Sequence, residues 1–264
     1  MARAFCLLII VAACSYTIPA GKPDLQMAGA YRMLTQVFTR GEQDTSYDAA
    51  KQLKIYTPQH MMYANILPGG ADTFSSFGVG RYSIKDGKVI EDIFYSGSDT
   101  SVNSTTRSYT LDITKSAKGY KQVIDAIGTS NGQKLKLTET YEQIGSAQKS
   151  PVDGTWKLVK VYSVSGKDTT DSKVTQYKTY YAGHFIWGRT ALNDAGKNET
   201  AVGFGSFEMN GQQKLRETVF ASTYSVLNGQ TVAIDIKMNG TDSYIQSFNV
   251  SDNEVHTEVY SRLK

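Results

Sequence analysis

With 264 residues, the chain has room for two domains of ordinary size, each able to bury a core of its own. Its 40% hydrophobic and 11% aromatic content, led by 17 tyrosines, excludes a disordered chain and suits folded β structure. The net charge is only +3, with Lys and Arg scattered singly among acids, so no basic stripe is present to neutralise phosphates and nucleic acid is excluded as an expected partner.

The first residues read as a targeting segment. Arg3 supplies a short positive region, and Phe5 to Ala13 is an apolar run too short to span a bilayer, so residues 1–20 are expected to be an export signal outside the fold. Val11-Ala12-Ala13-Cys14 resembles the lipobox of bacterial lipoproteins, in which the cysteine is lipidated; cleavage after Ala20 is the alternative. The expected location is therefore the cell envelope, as a lipoprotein on the outer membrane or periplasmic face, or a secreted or periplasmic protein. The membrane would be touched only through that lipid. Cys6 and Cys14 both lie in this segment, which leaves the remainder without a disulfide or a catalytic thiolate. Sequons at Asn103, Asn198, Asn239 and Asn249 read as chance occurrences in a chain rich in Asn, Ser and Thr.

From Gly29 onward the chain reads as short strands punctuated by turns. Tyr47 to Leu53 is the best helical candidate, and it is short. Tyr82-Ser83-Ile84, the turn Lys85-Asp86-Gly87-Lys88 and then Val89 to Tyr95 read as strand, Asp-Gly hairpin, strand. Further strands are expected at Ser108 to Thr114, Tyr120 to Ile127 and Lys134 to Tyr141. Gly145 to Pro151 is small, polar and ends in proline, and is expected to be a short linker between touching domains, 24–146 and 150–264.

Beyond the linker the pattern starts again. Gly29-Ala30-Tyr31 recurs as Gly154-Thr155-Trp156, and Lys54 to Tyr63 aligns with Lys178 to Trp187 without a gap. Gly78-x-Gly80 answers Gly203-x-Gly205, Lys88 to Phe94 answers Lys214 to Phe220, and Thr138 to Tyr141 answers Thr257 to Tyr260. Strands are expected again at Thr231 to Lys237, Ser243 to Val250 and Glu254 to Arg262. A period of this length is a whole small domain, so the chain is a tandem duplication of one fold. Many short strands joined by hairpins predict an all-β protein of two up-and-down antiparallel barrels, with about eight strands each.

Gly154-Thr155-Trp156-Lys157-Leu158 resembles the Gly-x-Trp opening strand of lipocalins and their calycin relatives. Tyr56-Thr57-Pro58-Gln59-His60-Met61-Met62-Tyr63, followed by Gly78-x-Gly80-x-Tyr82, is similar to lipocalin-like domains of exported bacterial proteins of unknown function. The first half departs from the motif by placing Tyr31 where Trp is expected. The resemblance implies a barrel fold and says little of activity, because such barrels host binders, carriers and some enzymes.

Candidate site residues come from the repeated polar positions. Alternation puts residues 89, 91, 93 and 95 on one face and 215, 217, 219 and 221 on the equivalent one, so Glu91 and Glu217 fall on an apolar, inward face. A carboxylate there must be hydrogen-bonded, paired or protonated. His60 and His184, Glu139-x-Tyr141 and Glu258-x-Tyr260 recur too, and with the aromatics Tyr63 and Trp187 they complete a set expected to fix the polar end of a ligand. The repeated histidines have an alternative role, ordering the hairpin in which they sit. No nucleophile motif, metal-ligand cluster or phosphate loop is evident, and Gly78-x-Gly80 and Gly203-x-Gly205 are better explained as close backbone approach at a bend. No catalytic residue, metal or cofactor is therefore assigned. The expected function is enclosure of a small, largely apolar ligand. A filled envelope module, or a barrel isomerase or hydrolase using a Glu/His pair, are the alternatives.

Overall fold

A computed structural model of the protein describes residues 25–47, 51–67, 74–98, 103–128, 134–145, 149–193 and 195–264; the expected export signal at 1–20, with Cys6 and Cys14, lies outside them. Among these residues the chain is almost wholly strand. The first nine are β1 (Gly29–Arg40), β2 (Gln43–Ser46), β3 (Lys51–Tyr56), β4 (His60–Leu67), β5 (Phe74–Lys85), β6 (Lys88–Ser96), β7 (Arg107–Ser116), β8 (Gly119–Gly128) and β9 (Lys134–Ile144). The second nine are β10 (Gly154–Ser165), β11 (Asp168–Asp171), β12 (Thr175–Tyr181), β13 (His184–Leu192), β14 (Asn198–Asn210), β15 (Lys214–Ser222), β16 (Thr231–Asn239), β17 (Ser243–Ser251) and β18 (Glu254–Arg262). The expected helix is absent: Lys51 to Leu53 belong to β3, Tyr47 is not helical, and residues 48–50 are not described. Cross-strand pairing, rather than the weak local pattern, decides that segment.

Each set closes on itself as an antiparallel meander. β1 pairs with β9 along nearly its whole length, and on its other edge with β3 near its start and β2 near its end. β2 and β3 thus share one position, and the closed barrel has eight. β10 repeats this with β18, β12 and β11. Closure removes the exposed edges an open sheet would carry.

Bulges set which side chains enter. Val79 pairs with Tyr95 but Gly80 with Ile93, leaving Phe94 as the extra residue; Phe204, Ala221, Gly205 and Val219 leave Phe220 extra in the same way. Up to the bulge, Val89, Glu91 and Ile93 face inward, as do Leu215, Glu217 and Val219. Past it the phase inverts, so Tyr95 and Ala221, expected inside, pack outside the barrels. The glycines mark these bends. A Cβ on Gly80 would lie 2.5 Å from the Asp92 carbonyl and one on Gly205 1.9 Å from that of Thr218, while Gly78 and Gly203 sit against the rings of Tyr63 and Trp187.

The outer faces of equivalent strands bring the barrels together. Leu53, Ile55, Met62, Phe77 and Val79 of the first barrel pack in one buried cluster with Tyr177, Ile186, Val202 and Phe204 of the second. These are largely the same positions of the repeat, so the interface joins one patch to its own copy. Polar contacts frame it: Ser75 Oγ donates to the Thr200 carbonyl at 2.9 Å, and Thr200 Oγ1 to that of Gly97 at 2.6 Å. Gly188 lets the Phe77 ring approach to 2.4 Å from where its Cβ would be.

Gly188→Val should therefore lower stability by about 1–3 kcal/mol through overpacking against Phe77. Combining it with Phe77→Ala should recover part of the loss in a thermal-denaturation double-mutant cycle. Simple additivity would mean the two residues do not meet.

Candidate functional site

Strand alternation on β3 points Gln52, Lys54 and Tyr56 inward; on β12 it does the same for Gln176, Lys178 and Tyr180. Together with Glu91, Gln122, Glu139 and Tyr141, or Glu217, Gln246, Glu258 and Tyr260, they form one hydrogen-bonded chain inside each barrel. In the first barrel Tyr56 donates to Glu91, whose Oε1 lies 3.1 Å from Lys54 Nζ. Lys54 also donates to Gln122 Oε1 at 3.2 Å, and the other end of that amide donates to Glu139 Oε2 at 2.5 Å. Tyr141 donates to the same carboxylate at 2.8 Å and accepts from Gln52 at 2.5 Å.

The second barrel repeats the order. Tyr180 donates to Glu217, which pairs with Lys178 at 2.7 Å. Lys178 reaches Gln246 Oε1 at 3.4 Å, Gln246 donates to Glu258 Oε2 at 2.5 Å, and Tyr260 does so at 2.7 Å. Each glutamine is an adapter, turning an acceptor toward the ammonium and a donor toward the second carboxylate. All of these residues are buried. The network thus answers the cost of enclosing two carboxylates by pairing and donating to both. Burial pushes the hydroxyls of Tyr56, Tyr141, Tyr180 and Tyr260 well above the ordinary phenol value, and the neighbouring carboxylates reinforce this, so they act as donors.

The copies differ around the second carboxylate. In the first barrel, Gln36 Nε2 donates to Glu139 Oε1 at 2.7 Å, and Leu137 and Asn65 are the neighbouring repeat positions. Their counterparts are Val161, His256 and Arg189. Here Arg189 Nη2 lies 3.0 Å from Glu258 Oε1 and its Nε donates to Gln176 at 2.5 Å, while His256 Nε2 is 3.4 Å from the same oxygen. Burial alone would raise the Glu258 carboxyl; the His256 hydrogen bond, the charges of Lys178 and Arg189 and the Tyr260 hydroxyl outweigh it and hold it at about 2.

The second network also borders open space. A cavity of about 240 Å³ has Lys178, Glu217, Gln246, Glu258, Arg189 and His256 at its polar side, and Trp187, Val219, Ile234, Val232 and Phe248 at its apolar side. Tyr224 stacks on Trp187 with ring centroids 5.8 Å apart, and the 3-10 turn Ser225–Leu227 brings Leu227 to the same cavity.

Of the residues singled out from sequence, Glu91, Glu139 and Tyr141 meet in the first barrel and Glu217, Glu258 and Tyr260 in the second. Trp187 lines the cavity, and Tyr63 packs against the core of the first barrel. The histidines do not join them. On β4 and β13 the inward residues are Met61, Tyr63, Phe185 and Trp187, so alternation sends His60 and His184 to the outer face. His184 Nδ1 lies 3.0 Å from the Ala182 carbonyl, on the β12–β13 turn, and its ring meets Phe220. The His60 backbone closes its own turn: its N–H donates to Thr57 Oγ1, and its carbonyl accepts from the Thr57 hydroxyl and N–H. Burial lowers both imidazoles below the ordinary value. The Glu/His pair assembled inside a barrel is instead Glu258 with His256, a histidine without a counterpart in the first half.

Sequence reasoning missed the two lysines and four glutamines. Their signal was identity between copies, Gln52-x-Lys54 with Gln176-x-Lys178 and Tyr120-x-Gln122 with Tyr244-x-Gln246, at residue types usually assigned to solvent.

No protein-family model matches the chain, and no curated protein matches it. Among solved structures, one similar to it is a crystal structure of a protein of unknown function from the DUF3598 family of Nostoc punctiforme. Identity is 10%, the match covers 89% of this chain and 96% of that one, and the TM-score is 0.25. The two tandem barrels are established by the strand pairing of this chain itself.

Lys178→Met should cost about 3–5 kcal/mol in chemical denaturation by stranding Glu217, whereas Lys178→Met with Glu217→Leu should recover most of that loss. Equal losses in both would deny the pairing. Acid should destabilise the fold in a set window. Glu258 is held below the ordinary carboxyl value of 4.5, so its contribution is complete above that pH and lost as pH falls toward about 2. Glu258→Gln should flatten the stability profile between those limits in urea melts taken across the range.

Proposed function

We propose that the protein is an exported, lipocalin-like binder that encloses one small, largely apolar molecule in its second barrel, without catalysis. The supporting observation is the cavity of about 240 Å³ with charged groups on one side and Trp187, Phe248 and aliphatic side chains on the other. That is the general plan of a ligand pocket, mostly apolar with a few fixed polar groups, and it is below the size that drug-like molecules occupy. An eight-stranded barrel is just wide enough to fill itself or to hold one small ligand. The first barrel, with Gln36 and Leu137 buried where the second has Val161 and His256, serves in this reading as a scaffold. Envelope location, with lipid on Cys14 or cleavage after Ala20, belongs to the same proposal; Cys14→Ala should move the protein out of the membrane fraction if the lipid is attached.

Trp187 gives a direct test. The chain has two tryptophans, and Trp156 is fully buried with its Nε1 donating to the Val152 carbonyl at 2.8 Å and does not line the cavity. Titration with phenylacetamide, a neutral aromatic small enough for the cavity, should change the Trp187 emission saturably. Val232→Phe, which fills the cavity, should abolish the change while preserving the circular dichroism spectrum. An unsaturable response, or one untouched by Val232→Phe, would overturn binding at this site.

A further inference from the structure

The hydrogen-bond accounting of the second barrel limits what the polar end of a ligand can be. A carboxylate offers about four acceptor sites. Glu258 already receives Gln176, Arg189 and His256 at Oε1, and Gln246 and Tyr260 at Oε2. Glu217 is taken up by Lys178 and Tyr180. Both acids are buried; Glu258 has no capacity left for a donor brought by a ligand, while Glu217, whose two partners share Oε1, has its charge met by Lys178. The basic side differs. A guanidinium carries five N–H groups in a fixed fork. Arg189 spends Nε on Gln176 and one Nη2 hydrogen on Glu258, and its side chain is 25% exposed at the cavity. The surplus beside Glu258 is therefore of donors.

The duplication isolates the same group independently. Tyr56, Glu91, Lys54, Gln122, Glu139, Tyr141 and Gln52 recur unchanged in the second barrel, so they are what the fold needs in either copy. Asn65, Leu137 and Gln36 do not recur. Where Gln36 satisfies Glu139 from a buried position, Val161 cannot, and Arg189 and His256 satisfy Glu258 from residues that line the cavity. The difference places donors, among them the guanidinium of Arg189, at the wall where a ligand could meet them.

We propose that the second barrel selects a small carboxylic acid, whose carboxylate pairs with the unused face of the Arg189 guanidinium and whose apolar body lies against Trp187 and Phe248, and that the first barrel has no counterpart of this subsite. The inference rests on the binding function proposed above and narrows it to a ligand class. The two charges of Lys178 and Arg189 balance those of Glu217 and Glu258, so Arg189 is the group whose remaining hydrogens can meet an added anion. An apolar ligand with a donor head would leave those hydrogens unmatched and find no open acceptor on Glu258.

The test compares phenylacetate with phenylacetamide, of nearly equal shape, by calorimetry on the full chain and on Arg189→Asn, which installs the first barrel's own residue. The wild type should bind phenylacetate roughly tenfold or more tightly than the amide, the size of one charge-assisted pair. Arg189→Asn should remove that preference while still binding the amide. Arg189→Lys, which keeps the charge and loses the fork, should retain only part of it and guards against misreading a folding defect. Equal affinities in the wild type would overturn the carboxylate assignment and leave the cavity reading standing. A preference that survives in Arg189→Asn would overturn the role of Arg189. Binding of neither probe would overturn both readings.

Discussion

Inside each barrel a buried lysine faces a buried glutamate, and the rest of the interior is arranged around that pair. Lys54 with Glu91, and Lys178 with Glu217, come from strands that are not neighbours in the meander, so the contact spans the lumen. Closing the barrel brings them within reach; their attraction and their need for donors in turn constrain how the barrel closes. A slip of one residue in β3 would turn Lys54 outward and strand Glu91, an error of several kcal/mol. A buried pair of this kind need not add net stability over an apolar filling, and its evident effect here is on register. The glutamine adapters extend the same constraint to β8 and β9, and to β17 and β18, so that one connected network fixes strands from most of the circumference.

The bulges at Phe94 and Phe220 let one strand serve two surfaces. Before the bulge β6 and β15 feed the lumen with Val89, Glu91 and Ile93 or Leu215, Glu217 and Val219; after it they feed the contact between barrels with Tyr95 or Ala221. Tyr95 reaches across to Thr190 Oγ1 at 2.5 Å, beside the β13 segment that carries Arg189. The barrel contact and the candidate site therefore share a strand, with Gly188 on the outer face and Arg189 on the inner.

How far the sequence could be read depended on what alternation alone can decide. The all-β class, the duplication and the inward glutamates were legible because period-2 patterning and repetition act within single strands. The bulges at Leu34 in β1 and Val159 in β10, and those at Phe94 and Phe220, were not, since an extra residue is defined by its partner strand; hence the misplaced Tyr95 and Ala221. His60 and His184 were drawn into the site by recurrence, but one residue of offset from Met61 and Phe185 puts them on the opposite face. Lys54 and Lys178 were passed over because lysine on a strand ordinarily snorkels to solvent, and only the facing carboxylate, 37 residues away in the first copy and 39 in the second, makes burial tolerable. Arg189 and His256 carried the opposite signal, difference between copies, which repetition by itself discards.

The contact that joins a patch to its own copy is the geometry of a twofold dimer. In such a dimer every substitution appears in both subunits at once, so a change that opens one lumen must open the other, and a cost in stability is incurred twice. Covalent fusion removes that coupling. One gene then carries two independently mutable lumens held in a fixed one-to-one ratio, so that Gln36 and Val161 can differ inside the barrels while the contact between them is kept. Tandem duplication here acts as a means of breaking symmetry, letting the two interiors differ while the surfaces that join them stay alike.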